Sequence, residues 1–210
     1  MKMESIVNNK DEYRICSRCI MDTTSDPGLV LDKSGVCNYC HEYDREYEAT
    51  RAMRENGEEK LESLISSIKN ECKNDEYDCA LGLSGGVDSS YLLYLCHRYG
   101  LRVLAIHVDA GWNSEIAVQN IEKMCTKLGY DLHTVVIDWT TMKELQRAYL
   151  FSGLGNQDVP QDHCFIAAVR QCCRKYHIKY LMNGWNLATE GILSHAFQQP
   201  PGDWINITDV

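Results

Sequence analysis

YDCALGLSGGVDSSYLLYLC, residues 77–96, changes from one structural pattern to another within twenty positions. The apolar run CALGL at 79–83 has the length of a buried strand. Leu92, Leu93 and Leu95 follow at helical spacing. Between these patterns lies SGGVDSS, where two adjacent glycines permit a tight turn. The stretch therefore predicts a buried strand, a glycine loop and a helix, in that order.

The same alternation continues toward the C-terminus. Further strand-like runs are RVLAIHV at 102–108, LHTVVI at 132–137 and IKYLMN at 178–183, with helical patterns between them. Near-continuous apolar strands alternating with helices indicate a parallel sheet covered on both faces. We predict an α/β protein with a doubly wound parallel sheet, in which ligands bind at the carboxyl ends of the strands.

The glycine loop is suited to an anion. Its amide groups and the positive end of the following helix would converge on one point, as phosphate sites do. The lysine of a Walker loop is missing and Asp88 is present instead, which suits a Mg²⁺ ligand or an acceptor for loop amides. A plain turn with Asp88 and Ser89 capping a helix is the alternative. We expect Ser84 and Asp88 to be catalytic. The residues expected to contact the nucleotide are Ser84, Gly85, Gly86, Asp88, Ser89 and Ser90.

Four cysteines precede this domain with the spacing of metal ligands. They form C-x₂-C-x₁₇-C-x₂-C in a segment with too few apolar residues for its own core. Such a quartet favours a closed, structural zinc site whose metal stabilises the fold. An iron–sulfur cluster is the main alternative, and His41 is a weaker candidate ligand. The predicted ligands are Cys16, Cys19, Cys37 and Cys40.

Composition and charge limit the possible domain organisation and binding partners of the chain. We predict a flexible N-terminus at 1–12, a zinc-ribbon-like module at 13–41, a connector helix at 42–72 and the nucleotide domain at 73–210. The 210 residues carry a formal charge of −9, which argues against a general nucleic-acid surface. Neither a membrane-spanning run nor a signal peptide is apparent, so we expect a cytoplasmic protein without a membrane partner.

Two further loops and one helix start carry candidate site residues. HVDAGWN at 107–113 follows the second strand, and we expect His107, Val108 and Asp109 to flank adenine, with Trp112 lining the pocket. In VPQDH at 159–163 we expect Asp162 and His163 to be catalytic at the start of a helix. A simple helix cap is the alternative role of Asp162.

SGGVDS at 84–89 resembles the pyrophosphate loop of the N-type ATP pyrophosphatases, which include NAD synthetase, GMP synthetase and tRNA thiolation enzymes. The resemblance implies an adenine nucleotide α-hydrolase-like fold, cleavage of ATP between its α- and β-phosphates, and transfer of AMP to a substrate oxygen. NGWNLATEG at 183–191 also resembles a segment of NAD synthetase. That likeness implies nucleotide or substrate contacts for Gly184, Asn186 and Glu190.

Taken in order, the cysteine segment, the glycine loop, HVDAGWNSEIAVQNIEKM, VPQDH and NGWNLATEG resemble the N-acetyl sugar amidotransferases of O-antigen and flagellin-glycan biosynthesis. The resemblance implies ATP, Mg²⁺ and structural Zn²⁺, an N-acetylated sugar as acceptor, and an acetamidino sugar as product. No glutaminase nucleophile is recognisable, so a separate glutaminase subunit is the implied source of ammonia. Members of this family are longer, and we expect a C-terminal part of the sugar site to be missing.

Two other functions stay open at this level. A tRNA thiolation enzyme also joins cysteine pairs to this loop, and Cys164 lies where some of those enzymes keep a catalytic cysteine. The acidic charge and the lack of a paired cysteine count against it. In the third interpretation, the loop is degenerate and the cysteine module docks proteins on an inactive scaffold.

Overall fold

The computed structural model describes residues 13–197 and 207–208, and the chain divides into two compact units. Of the described residues, one unit comprises 57–185 and 207–208, and the other comprises 13–56 and 186–197. The helices are α1 Asn38–Ala49, α2 Arg51–Arg54, α3 Gly57–Glu71, α4 Val87–Arg98, α5 Glu115–Leu128, α6 Trp139–Ser152, α7 Val159–Lys175 and α8 Leu187–Glu190. The strands are β1 Cys79–Gly82, β2 Val103–Asp109, β3 Asp131–Val136 and β4 Leu181–Met182.

The four strands form one parallel sheet in the order β3-β2-β1-β4. The predicted α/β class with a parallel sheet is therefore confirmed. Strand β1 lies in the interior of the sheet. β2 and β3 follow in turn on one side of β1, and the chain then returns to place β4 on the other side. This reversal creates a topological switch point between β1 and β4, where open α/β sheets bind their ligands.

Both faces of the sheet are buried, and alternate strand residues supply the two layers. Leu81 and Ala105 face a cluster built with side chains of α3, α4 and α5. Leu104 and Ile106 face the opposite cluster, to which α7 contributes Ala168, Val169 and Cys172. Because side chains alternate across a strand, one apolar run can serve both layers. The doubly wound arrangement follows from this.

An ion pair between buried Asp78 and half-exposed Arg102 closes the amino end of the sheet. Asp78, whose side chain is 3% exposed, accepts a 2.7 Å bond from the backbone amide of Arg102 and a 2.6 Å bond from its guanidinium. The guanidinium also donates to the carbonyl of Cys72 at 2.6 Å. A buried carboxylate tolerates its position only when such donors replace water. The pair therefore fixes the entry to β1 against the residue that precedes β2.

Local sequence accounts for both ends of α5 and α6. Ser114 and Asp138 cap α5 and α6 by accepting amide hydrogens, and Gly129 and Gly153 end these helices with positive φ. Helix α7 begins at Val159, so the predicted start at Asp162 is wrong. The residue before α7 is Asp158, and Pro160 lies in the first turn, where its missing N–H costs no hydrogen bond.

The cysteine unit is built from short turns and two isolated antiparallel bridges, Ile15↔Asp22 and Leu31↔Cys37. Helix α1 starts directly after the second bridge. The connector predicted as one helix at 42–72 is distributed over α1, α2 and α3, because the chain leaves helical geometry at Glu55 and takes a positive φ at Asn56. The described part of this unit also contains residues 186–197, so the unit division does not coincide with the predicted domain boundaries.

Among residues 13–197 and 207–208, no helix combines the length and apolarity that a membrane span requires. The predicted flexible segment 1–12 lies outside the described residues.

Candidate functional site

The glycine loop connects the carboxyl end of β1 to α4. Gly85 has φ +80°, and a Cβ added there would meet the carbonyl oxygen of Ala117 in α5 at 2.8 Å. Both the backbone angle and the space therefore require glycine at this position. Gly86 occupies the N-cap of α4, and no side chain caps the helix. The first turn of α4 is thus built with its amide groups directed toward the loop, which is the arrangement that binds phosphate.

The serine hydroxyl groups of the glycine loop form hydrogen bonds within the loop. The hydroxyl groups of Ser84 and Ser89 lie 3.1 Å apart, and the Ser84 hydroxyl accepts a 3.3 Å bond from the amide of Gly86. Ser90 donates to the carbonyl of Gly86 at 2.6 Å. The hydroxyl groups thus bond to the loop itself, and their contacts with phosphate oxygens remain a prediction. They hold the turn in shape before any ligand arrives.

The loop after β4 packs against the start of α4. A Cβ on Gly184 would lie 3.1 Å from the amide nitrogen of Ser89 and 3.3 Å from the carbonyl carbon of Asp88. The structure thus brings Gly184 together with Asp88 and the glycine loop at the switch point. Two loops that are about 100 residues apart in the sequence form one wall of the candidate site.

The loop after β2 is also held by specific hydrogen bonds. His107 is buried, and its Nδ1 lies 3.1 Å from the carbonyl oxygen of Leu83, the residue that precedes the glycine loop. Asp109 accepts bonds from the amide of Gly111 at 2.9 Å and from the side chain of Asn113 at 3.0 Å. These side chains therefore fix the shape of the loop. Val108 is buried between them at the end of β2.

The first turn of α7 carries the predicted catalytic pair. The chain passes from the end of α7 into β4, so the start of α7 lies at the carboxyl ends of the strands, with Asp162 and His163 in its first two turns. Burial raises the pKa of Asp162, and the neighbouring Asp158 carboxylate raises that pKa further. A partly buried carboxyl group at the ligand-binding edge is a candidate for proton transfer.

The four predicted metal ligands form one cluster. Their sulfur atoms all lie within 4.8 Å of one another. The sulfur atoms of Cys16 and Cys40 are 3.9 Å apart, and those of Cys19 and Cys37 are 3.7 Å apart. A tetrahedral zinc ion with bonds of about 2.3 Å places its sulfur ligands roughly 3.8 Å apart. The quartet therefore fits zinc, and an iron–sulfur cluster also takes four thiolates.

The surroundings of Cys16 favour its thiolate form. Burial alone would raise the pKa of Cys16, but hydrogen bonds from the backbone amides of Cys19, Arg18 and Cys37 lower it to about 6. Burial raises the pKa of Cys37 and Cys40. The exposed His41 pairs with Asp32 at 2.9 Å and lies outside the quartet.

The last two predicted nucleotide residues belong to the unit that contains the cysteine quartet. The side chain of Asn186 caps α8 by accepting a 3.0 Å bond from the amide of Thr189. Glu190 is exposed at the end of the same helix. Their nucleotide contacts remain a prediction.

Sequence reasoning missed Trp139 and the role of Asn113. Trp139 follows β3 and packs against Gly111 of the loop after β2. The ring centroids of Trp112 and Trp139 are 5.2 Å apart in an edge-to-face arrangement. The signal in the sequence was the pair of tryptophans at the ends of adjacent predicted strands, in HVDAGWN and VVIDW.

Two comparisons with known protein sequences found similar proteins. The family model described as queuosine biosynthesis protein QueC matches residues 78–172. The tRNA(Ile)-lysidine synthase of Chlamydia pneumoniae is 36% identical over 70 residues, which are 31% of this chain and 22% of that protein. These matches support the PP-loop ATP pyrophosphatase superfamily for this chain.

Similar solved structures include three synthetases. The NMN synthetase of Francisella tularensis has a TM-score of 0.47 at 21% identity over 59% of this chain and 52% of that one. An NH₃-dependent NAD synthetase from Campylobacter jejuni has a TM-score of 0.45 at 16% identity, over 61% and 56%. A glutamine-dependent NAD⁺ synthetase from Acinetobacter baumannii has a TM-score of 0.47 at 18% identity, over 60% and 25%. The chain thus spans a quarter to just over half of their lengths.

Proposed function

We propose that this chain is the ATP-using component of an amidotransferase that converts the acetamido group of an N-acetylated sugar into an acetamidino group. The observation that carries the proposal is the glycine loop at the switch point, with Gly85 at φ +80° and no side-chain cap on α4. An uncapped helix start beside a tight glycine turn is a site for the phosphates of ATP.

The groups around the loop have distinct roles in this reaction. The amides of the loop and of the first turn of α4 hold the phosphates. Asp88 lies in that first turn, and its carboxylate is the candidate ligand for a Mg²⁺ ion that neutralises the pyrophosphate. Ser84 and Ser89 keep the loop in shape through their mutual contact. Gly184 closes the site from the β4 side.

The reaction takes place in two steps. The acetamido oxygen of the sugar attacks the α-phosphorus of ATP, the bond to the β-phosphate oxygen breaks, and pyrophosphate leaves. Ammonia then adds to the acetamido carbon, which the attached AMP has activated. AMP leaves together with the oxygen atom that came from the acetamido group, and the product is the protonated acetamidine. Asp162 is the candidate acceptor of the proton that an incoming ammonium ion must lose, because burial raises the pKa of its carboxyl group toward the working range.

The sugar and the source of ammonia are inferred from motif order. The cysteine quartet, the glycine loop and the segments at 107–124, 159–163 and 183–191 occur in the order of the N-acetyl sugar amidotransferases. Those enzymes take ammonia from a separate glutaminase subunit, and we propose the same kind of partner here.

The test measures pyrophosphate release from ATP with ammonium chloride and an N-acetylated UDP-sugar, followed by mass spectrometry of the sugar. A decrease of about one dalton, from exchange of oxygen for NH, is the expected result. Asp88→Asn should abolish pyrophosphate release while the protein melts as the wild type does. Thr140→Ser on the exposed side of α6 is the matched conservative control. Release that persists in Asp88→Asn would refute the assignment of the loop.

A tRNA-modifying enzyme is the second candidate. The observation that favours it is the match to QueC and to a tRNA(Ile)-lysidine synthase. Against the thiolation form of this reaction, burial raises the pKa of Cys164, which lowers its thiolate fraction. Bulk tRNA replaces the sugar in a parallel assay. Pyrophosphate release that depends on tRNA and not on the sugar would favour this candidate.

A further inference from the structure

Two tryptophan side chains are exposed side by side where β2 and β3 end. Trp112 is 56% exposed and Trp139 is 44% exposed, although their rings contact each other edge to face. Tryptophan buries most of its surface in ordinary packing, so a paired and exposed arrangement indicates a binding surface. The pair lies at the carboxyl edge of the sheet, on the same edge as the glycine loop.

The backbone conformation at Gly111 and at the start of α6 fixes the position of the tryptophan pair. Gly111 has φ +88°, and a Cβ added there would lie 2.4 Å from Cε3 of Trp139. Only glycine therefore allows the indole to pack flat on this turn. The capping of α6 by Asp138 fixes Trp139 as the first residue of the helix. The aromatic surface is therefore rigid before a ligand binds, which reduces the entropic cost of binding.

A groove of about 370 Å³ includes Gly111, the residue on which Trp139 packs, and acidic and amide side chains are part of its lining. The residues that line it are Asp109, Gly111, Asn113, Glu115, Val118 and Gln119. Two carboxylates and two amides thus surround the groove, and none of these lining residues is basic. The side-chain oxygen atoms of this lining accept hydrogen bonds from neutral donors such as hydroxyl groups.

We propose that the tryptophan pair and this groove bind the ring of the acceptor sugar, an inference that rests on the proposed function. The polarised C–H groups of a sugar ring pack on the negative face of an indole, while carboxylate and amide oxygens accept its hydroxyl hydrogens. Adenine also stacks on indole, but its exocyclic amine is its one donor group, whereas a sugar ring offers several hydroxyl groups to the oxygen atoms of the groove. Trp112, which we expected at adenine, is therefore assigned to the sugar.

The test is saturation-transfer NMR on the full chain, with N-acetylglucosamine, N-acetylgalactosamine and adenosine as separate probes. We expect transfer to the ring protons of at least one sugar, and binding roughly 3- to 10-fold weaker in Trp112→Leu and Trp139→Leu. Trp112→Phe keeps an aromatic face and should retain most of the binding. Phe151→Leu removes an exposed aromatic residue from the same helix as Trp139 and should bind as the wild type does.

Two results would overturn the assignment: equal sugar binding in the wild type and both leucine variants, or transfer to adenosine alone that the leucine variants lose. Melting curves identify any variant that fails to fold. If a leucine variant fails to fold, sugar binding is compared between Trp112→Phe and the wild type. The measurement needs no turnover. Sugar binding without pyrophosphate release would refute the proposed reaction only, and sugar-dependent release that both leucine variants retain would refute this site only.

Discussion

Ser194 donates a 2.5 Å hydrogen bond to Asp26, a residue 168 positions earlier in the sequence. The same carboxylate accepts bonds from the hydroxyl of Tyr39 and, at 2.6 Å, from the amide of Gly28. Asp26 is only 4% exposed. The segment that follows β4 is thereby attached to the cysteine unit through a buried, fully bonded carboxylate. Its start, Asn186, is two residues after Gly184 of the candidate site.

This attachment predicts a pH-dependent contribution to stability. Burial alone would raise the pKa of Asp26, but hydrogen bonds from Ser194, Tyr39 and Gly28 hold it below the usual value. A carboxyl group with a depressed pKa stabilises the fold above its unfolded pKa of about 3.9, and this contribution is lost as the pH falls through the folded pKa. Asp26→Asn should therefore cost about 1–3 kcal/mol at pH 6 and progressively less below about pH 4.

Urea unfolding of both proteins at a series of pH values measures this difference. The metal content is measured in parallel, because release of the ion on acidification would itself unfold the segment that contains Asp26. Asp44→Asn, which removes an exposed partner of Arg18, should change stability little at any pH. A cost of Asp26→Asn that stays constant from pH 6 to pH 3 would contradict the role given to the carboxylate.

Replacement of one quartet cysteine should remove the metal. Cys37 is fully buried within the sulfur cluster, so Cys37→Ser leaves three thiolates and a weak ligand, and we expect less metal per chain and a lower melting temperature. Elemental analysis of the purified protein measures the metal and distinguishes zinc from iron. Cys173→Ser, outside the quartet, is the matched control and should keep its metal. Equal metal content in both variants would refute the site.

The ion pair of Asp78 and Arg102 should be more important than an exposed pair. Asp78→Ala leaves the amide of Arg102 without its buried acceptor, while the half-exposed guanidinium keeps its bond to the carbonyl of Cys72, and we expect a loss of about 1–3 kcal/mol in the free energy of unfolding. Glu144→Ala breaks an exposed pair with Arg147 and should cost less than about 1 kcal/mol. Denaturant unfolding compares them. Similar costs for the two variants would contradict the importance assigned to burial.

Small additions to the two loop glycines should weaken ATP binding. Gly85→Ala meets the carbonyl of Ala117 at a strained φ, and Gly184→Ala presses on the amide of Ser89. A strained left-handed alanine costs about 1–2 kcal/mol, so we expect roughly tenfold weaker binding by titration calorimetry. Gly57→Ala, with no atom near its added Cβ, is the control. Wild-type affinity in both loop variants would exclude this wall of the site.

Asp162→Asn should separate function from stability. Because burial raises the pKa of Asp162, its ionised form destabilises the fold at pH values above the unfolded pKa of about 3.9. The variant should therefore melt at the same temperature as the wild type or higher at pH 7, while pyrophosphate release with ammonium falls. The difference in melting temperature should disappear below about pH 4. A large loss of stability in Asp162→Asn at pH 7 would indicate a structural role instead.

The sequence alone determined the sheet, the glycine loop and the cysteine quartet, because each depends on short-range patterns. Period-two and period-3.6 apolar spacing predicted strands and helices, and parallel pairing followed from their alternation. Gly85 and Gly86 predicted a turn, and the φ of +80° at Gly85 requires the backbone freedom of glycine. The spacing of the cysteine pairs matched the geometry of one tetrahedral ion. These features need no knowledge of distant contacts.

Only the tertiary structure decided which distant segments meet. The bond between Ser194 and Asp26, the approach of Gly184 to Ser89, and the packing of Trp139 on Gly111 each join residues that no local pattern connects. Such contacts are selected by packing and by the burial of polar groups, which involve the whole fold rather than neighbouring residues.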